Sequence, residues 1–138
     1  MRNLFFFAFF SLFFSFYAKG QIERSIFEAY DLKAIEQIQI NITDSVHVEF
    51  WPGDNILVES NIAFYNGTKD IFERLIKEGR YNLSENRSAK TLNLSIDVKN
   101  TQIAGSNGEI CYETIERTIY IPENYAQSGN MYIIVKEE

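Results

Sequence analysis

The residue pattern of this chain predicts a mainly β domain, a short β-solenoid or two-layer β-sandwich of about eight strands with one short α-helix. Three observations lead there. Apolar and polar residues alternate with period two in three consecutive runs within residues 37–62. The same alternation returns in residues 91–98 and 109–122. Apolar residues take helical spacing in residues 68–79, where Ile71, Phe72, Leu75 and Ile76 form a stripe.

The stretch QIQINITDSVHVEFWPGDNILVESNI, residues 37–62, organises the rest. Its apolar sets are Ile38, Ile40 and Ile42, then Val46, Val48 and Phe50, then Ile56 and Val58. Successive strand residues point to opposite faces, so each run has one buried side. Asp44 and Ser45 suit a tight reversal, and Trp51-Pro52-Gly53-Asp54 places a proline second and a glycine third, as a type II turn requires. These features predict a three-stranded meander.

Ahead of it, Arg2 precedes the apolar run of residues 4–17, which holds eight of the chain's 12 phenylalanines. Ala18 and Gly20 put small residues where a signal peptidase reads, so residues 1–20 are expected to be a secretory signal peptide, cleaved before Gln21. A run of about fourteen residues is short of the roughly twenty that span a bilayer. A lipid anchor would need cysteine at the cleavage point, where Gln21 stands. The expectation is a secreted, periplasmic or outer-envelope protein with no transmembrane segment after cleavage.

Removing that leader takes away Arg2 and Lys19, leaving 11 basic residues against 19 acids in a single β-rich domain, residues 21–138. This acidic balance repels phosphate backbones, and no cluster of Lys and Arg offsets it, so nucleic acid is not an expected partner. Cys111 is the lone cysteine. It rules out an internal disulfide framework and, flanked by Glu109 and Glu113, reads as a buried structural thiol.

The remaining elements follow in order. Residues 25–30 suggest a short edge strand before the meander, and Asn66-Gly67 marks a turn after it. In the helix, Thr68 fits the N-cap and Gly79 a left-handed terminator. Asp70 to Arg74 and Glu73 to Lys77 are opposite charges four apart with the acid first. Tyr81 and Leu83 open a return to strand, residues 84–89 read as a polar loop, and Leu92, Leu94, Ile96 and Val98 line one face of the next strand. Residues 100–108 read as a flexible loop. Residues 109–122 form a long strand, with Ile119 and Ile121 on one face, Tyr120 on the other and Pro122 ending the ladder. Residues 123–130 are a polar connection to a last strand that buries Met131, Ile133 and Val135.

Chemistry-bearing residues are sparse. His47 is the only histidine, so a multi-histidine metal site cannot be built, and alternation sends it to the face opposite Val46 and Val48. Neither Asp54-Asn55 nor residues 100–108 have the ligand density of a calcium loop. Phosphate-cradling loops, nucleophile elbows and a CxxC are missing. No catalytic, cofactor-binding or metal-ligating residue can be nominated, and no cofactor is expected. Asn-x-Ser/Thr triplets at Asn41, Asn66, Asn82, Asn86 and Asn93 read mostly as composition, given how common Asn and Ser are here.

Four of these segments together resemble the opening of the auto-transporter adhesin head, or GIN, domains of bacterial envelope proteins: Ile38-Gln39-Ile40, Val46-His47-Val48-Glu49-Phe50, Gly53-Asp54-Asn55 and Ile56-Leu57-Val58-Glu59. Thr118-Ile119-Tyr120-Ile121-Pro122 is similar to a later strand of such domains. The chain departs from that family by lacking its long Gly- and Asn-rich repeats and by inserting the helix. The resemblance implies a bacterial secreted or envelope protein with no known enzymatic activity. The expected role is non-catalytic, either adhesion-type binding or structural, with a surface glycan or an envelope protein as the expected partner. The alternative class is a small secreted glycan hydrolase working through two carboxylates; a cleft converging on two acids, one of them desolvated, would favour it.

Overall fold

A computed structural model describes residues 20–97 and 102–136; the expected leader, apart from Gly20, lies outside the described residues. The fold is mainly β, with ten strands and one helix among those residues. They run β1 Ile22–Tyr30, β2 Gln37–Asn41, β3 Ser45–Trp51, β4 Ile56–Tyr65, α1 Lys69–Lys77, β5 Ser84–Ser88, β6 Thr91–Ser95, β7 Ile103–Ala104, β8 Ile110–Pro122, β9 Tyr125–Ser128 and β10 Met131–Ile134. Two sheets form. The first has the order β1-β4-β8-β3, with β7 paired to the start of β8; the second has the order β5-β6-β2-β10-β9. All pairings are antiparallel except β3 with β8 and β2 with β6.

The three alternating runs are strands β2, β3 and β4, but they are not a meander. β2 belongs to the second sheet, while β3 and β4 flank β8 in the first. Alternation dictates which face of a strand is buried and leaves its neighbour open. The 13-residue β8, reached late in the chain, supplies the ladder that β3 and β4 share. The turn between them is not type II either, because Gly53 is absent from the glycines with positive φ. Glycine is needed there for space: a Cβ would run into the Trp51 indole, which folds over the turn and donates through Nε1 to the Asn55 carbonyl at 2.9 Å.

Other expectations shift by similar logic. β1 is longer than predicted, pairing with β4 along all nine of its residues. Residues 84–89 contain β5, a polar edge strand closed by a turn in which Ala89 has φ 51°. The connection after β8 contains β9, which pairs with β10 across Gly129 (φ 64°). Within the predicted loop 100–108, Ile103 is buried, and Gly105 N–H donates to Glu109 O at 2.7 Å. β10 faces the other way from the prediction: Tyr132 is buried while Ile133 and Val135 are exposed. The Tyr132 ring meets Phe50 edge-on, with centroids 6.1 Å apart, at the open side of the sandwich. Phe50 itself is consequently half exposed rather than buried.

The helix behaves as expected. Thr68 Oγ1 accepts from Ile71 N–H at 3.3 Å, Gly79 has φ 72°, and Phe72 and Leu75 are buried. Its charged residues choose other partners than predicted: Glu73 pairs with Arg24 of β1, and Arg74 lies 4.0 Å from Glu78.

The inner face of the first sheet carries two separate apolar cores. Ile56, Val58, Ile119 and Ile121 pack against Ile38, Leu92, Leu94 and Tyr132 of the second sheet. Ile62, Phe64 and Cys111 pack against Phe72 and Leu75 of α1, with Tyr81. Ser60 and Arg117, paired in register, lie between these cores on β4 and β8.

Candidate binding face

With the inner face covered by the second sheet and α1, the outer face of the first sheet is left open by the described residues. Its residues fall in cross-strand rows dictated by the register. Phe27, Glu59, Thr118 and His47 form one row across β1, β4, β8 and β3. Ala29, Leu57, Tyr120 and Glu49 form the next, and Ser25, Asn61, Glu116 and Ser45 the row on the other side. Beyond that come Glu23, Ala63 and Thr114, then the pair Tyr65 and Tyr112.

Aromatic rings are spread over this surface. Phe27 is 61% exposed and Tyr112 52%. Tyr65 and Tyr112 stack with centroids 4.6 Å apart and planes 7° from parallel, and Trp51 lies 6.3 Å from Tyr120. Between Tyr65 and the Glu23 and Glu116 carboxylates lies a hollow of about 410 Å³, floored by Ser25, Asn61, Ala63 and Thr114. Small floor residues beside a large ring make a shallow trough from an otherwise flat sheet.

The electrostatics of the face are one-sided. Four carboxylates, Glu23, Glu49, Glu59 and Glu116, stand in these rows, and no lysine or arginine does. Arg24, at the margin of the hollow, alternates to the other side and meets Glu73 of α1. His47 projects outward, as predicted, and its Nε2 lies 3.2 Å from Glu49 Oε1 with both side chains well exposed. Partial burial, then the Glu49 and Glu59 carboxylates, push the Tyr120 phenol above its usual pKa. The outer face of the second sheet is different in kind: Gln37, Gln39 and Asn41 of β2 lie beside Thr91, Asn93 and Ser95 of β6, all uncharged. Among the Asn-x-Ser/Thr positions, Asn41 donates to Asn93 there at 3.0 Å, so these two side chains bond each other.

A second concavity, about 210 Å³, gathers Asp44, Asp97, Arg80, Tyr81, Glu113 and Arg117. It brings three acids together, where the hollow on the outer face brings two, Glu23 and Glu116. Glu113 takes Arg80 at 2.7 Å and the Tyr81 hydroxyl at 2.5 Å, and Asp44 takes Arg117 Nε at 3.3 Å. The cleft therefore reads as the polar seam between the two cores. Cys111 is buried as predicted: its Sγ donates to the Asn66 carbonyl at 3.3 Å, and burial followed by Glu109 and Glu113 pushes the thiol pKa up. Among the described residues no group of three His, Cys, Asp or Glu could hold a metal ion, and no helix is long and apolar enough to cross a membrane.

His47 is the residue of this face that the sequence singled out, and Tyr120 was placed opposite Ile119 and Ile121. That these two share a face with Phe27, Glu49, Glu59, Tyr112 and Glu116 was not legible, because the strand order that brings them together is not written in alternation. The available signal was local: every second residue of β4 and β8 on the polar side belongs to this face. Comparison with protein-family models, with curated proteins and with solved structures finds no match to this chain.

Proposed function

We propose that this chain is an exported, non-catalytic binding domain of a bacterial cell envelope or surface, and that it engages its partner through the outer face of the first sheet. The observation that carries the reading is that face itself. It is a four-stranded surface that no described residue covers while the opposite side is buried, with Phe27 and Tyr112 more than half exposed on it. Exposed aromatic side chains on an open face supply contact area to a partner at low entropy cost. The leader pattern of residues 1–20 supports export, and the resemblance of the strand motifs to those of GIN domains supports an envelope setting. The commitment of Asp44 and Glu113 to arginines supports a non-catalytic role over the two-carboxylate alternative.

Binding of the purified domain to intact bacterial cells tests this. Wild-type protein is expected to be retained, and the double variant Phe27→Ser, Tyr112→Ser to be lost from the cells while keeping its melting temperature within a few degrees, since both sites are exposed. Equal retention of the two proteins would overturn the assignment of this face. Export is checked by the intact mass of protein released by the source cells, expected to begin at Gln21; a mass that keeps the phenylalanine-rich leader contradicts it.

A further inference from the structure

Resting on the assignment of the outer face as the binding surface, we infer that its partner is a basic polypeptide segment, rich in lysine or arginine, laid across the four strands. The charge of the face points there. Glu23, Glu59 and Glu116 meet no lysine or arginine among the described residues, and Glu49 meets only His47. These acids are not a sample of a uniformly acidic surface, because the corresponding rows of the second sheet, from Gln37 and Thr91 to Asn41 and Ser95, carry no charge at all.

The aromatic groups point the same way. Phe27 stands directly opposite Glu59 across β1 and β4, and Tyr120 stands opposite Glu49 across β8 and β3. A ring face beside a carboxylate offers one cation two attractions, to the ring quadrupole and to the negative charge. Guanidinium groups, which stack on rings and bond carboxylates through a planar fork, use both. An anionic partner would meet four carboxylates, of which only Glu49 has a basic side chain, His47, beside it. A neutral glycan finds its best donors and acceptors, the amides and hydroxyls, concentrated on the other sheet.

Calorimetric titration of the whole domain with a decalysine peptide at low salt tests the inference, with decaglutamate and maltoheptaose as comparison probes. Decalysine is expected to bind, and more weakly as salt rises. The variant Glu49→Gln, Glu59→Gln, Glu116→Gln is expected to lose about ten-fold or more in affinity. A matched variant of acids off the face, Asp70→Asn, Glu78→Gln, Glu85→Gln, should stay within about two-fold, and Phe27→Leu should lose about three-fold through its ring alone. All substituted positions are exposed or partly exposed, and unchanged melting temperatures establish that the variants fold. Equal losses in the two acid variants would reduce the effect to net charge and overturn the inference. Binding of maltoheptaose or decaglutamate on this face, with no response to decalysine, would overturn it too while leaving the face as the binding surface. Failure of every probe, together with unchanged retention of Phe27→Ser, Tyr112→Ser on cells, would remove the face itself.

Discussion

Arg117 is 3% exposed, and its guanidinium has three polar partners. Nη1 donates to Ser60 Oγ at 2.5 Å and to the Tyr81 carbonyl at 3.0 Å, and Nε faces Asp44 at 3.3 Å. One side chain therefore ties β4, β8, the segment after α1 and the turn before β3. Replacing Arg117 by alanine would leave the buried Ser60 hydroxyl and Tyr81 carbonyl and the partly buried Asp44 carboxylate without their donor, and a loss of about 3 kcal/mol is expected, the low end for breaking a buried charged pair. Urea unfolding measures it; a loss below about 1 kcal/mol would mean that water replaces the arginine freely. At the opposite extreme stands His47. Its side chain is 71% exposed, so His47→Gln should change stability by less than about 0.5 kcal/mol. Its outward direction was legible, because Val46 and Val48 claim the other face. The burial of Arg117 was only half legible: it shares a strand face with Ile115, Ile119 and Ile121, but the partners that make an interior arginine tolerable come from three distant segments.

At the scale of elements, local rules succeeded wherever a segment's own pattern was strong. α1 shows its cap, its terminator and its buried stripe, because each depends on residues within one or two turns. Phe72 is fully buried, stacked on Phe64 with centroids 5.1 Å apart and planes 5° from parallel, and edge-on to Tyr81 at 5.9 Å. Phe72→Ala is expected to cost about 3 to 5 kcal/mol, whereas Lys77→Ala, on the exposed side, should cost less than about 0.5. Chemical unfolding of the two variants decides it, and equal small effects would mean that the helix is not anchored to the sheet. Where pattern was weak, pairing decided instead. β5, Ser84-Glu85-Asn86-Arg87-Ser88, has no apolar residue and is a strand because β6 offers it a ladder. β10 contains Tyr132-Ile133-Ile134, where alternation cannot tell which side is inner. The tyrosine, with the larger apolar body, takes the core. The candidate face was illegible for the same reason as the meander: its rows are made by β1, β4, β8 and β3, brought together from four parts of the chain.

Across the whole molecule, the separation of the two cores by a polar seam leaves several tyrosines with their rings in apolar surroundings and their hydroxyls against acids. The Tyr81 hydroxyl reaches Glu113, and the Tyr30 hydroxyl donates to Glu28 Oε1 at 2.8 Å. Desolvation first, then the bonded carboxylates, push both phenols well above the ordinary tyrosine range. Desolvation pushes Tyr125 and Tyr132 upward as well. An unfolded tyrosine releases its proton near pH 10, and the folded ones hold theirs to higher pH. Below that value both states are protonated, and these groups give no pH dependence. Above it the unfolded chain binds fewer protons than the folded one, so stability must fall as pH rises, by up to about 1.4 kcal/mol per pH unit for each such group. The expected outcome is a folding free energy unaffected by tyrosine ionisation up to about pH 9.5 and dropping steeply beyond it. The variants Tyr81→Phe and Tyr30→Phe each remove one titrating group from that balance. Whatever either substitution costs at neutral pH through its lost hydrogen bond, the slope above pH 10 should become shallower by about one proton. Urea titrations at closely spaced alkaline pH values measure the slope. An unchanged slope in both variants would mean that these phenols ionise alike in the folded and unfolded states, and that the seam does not shield them.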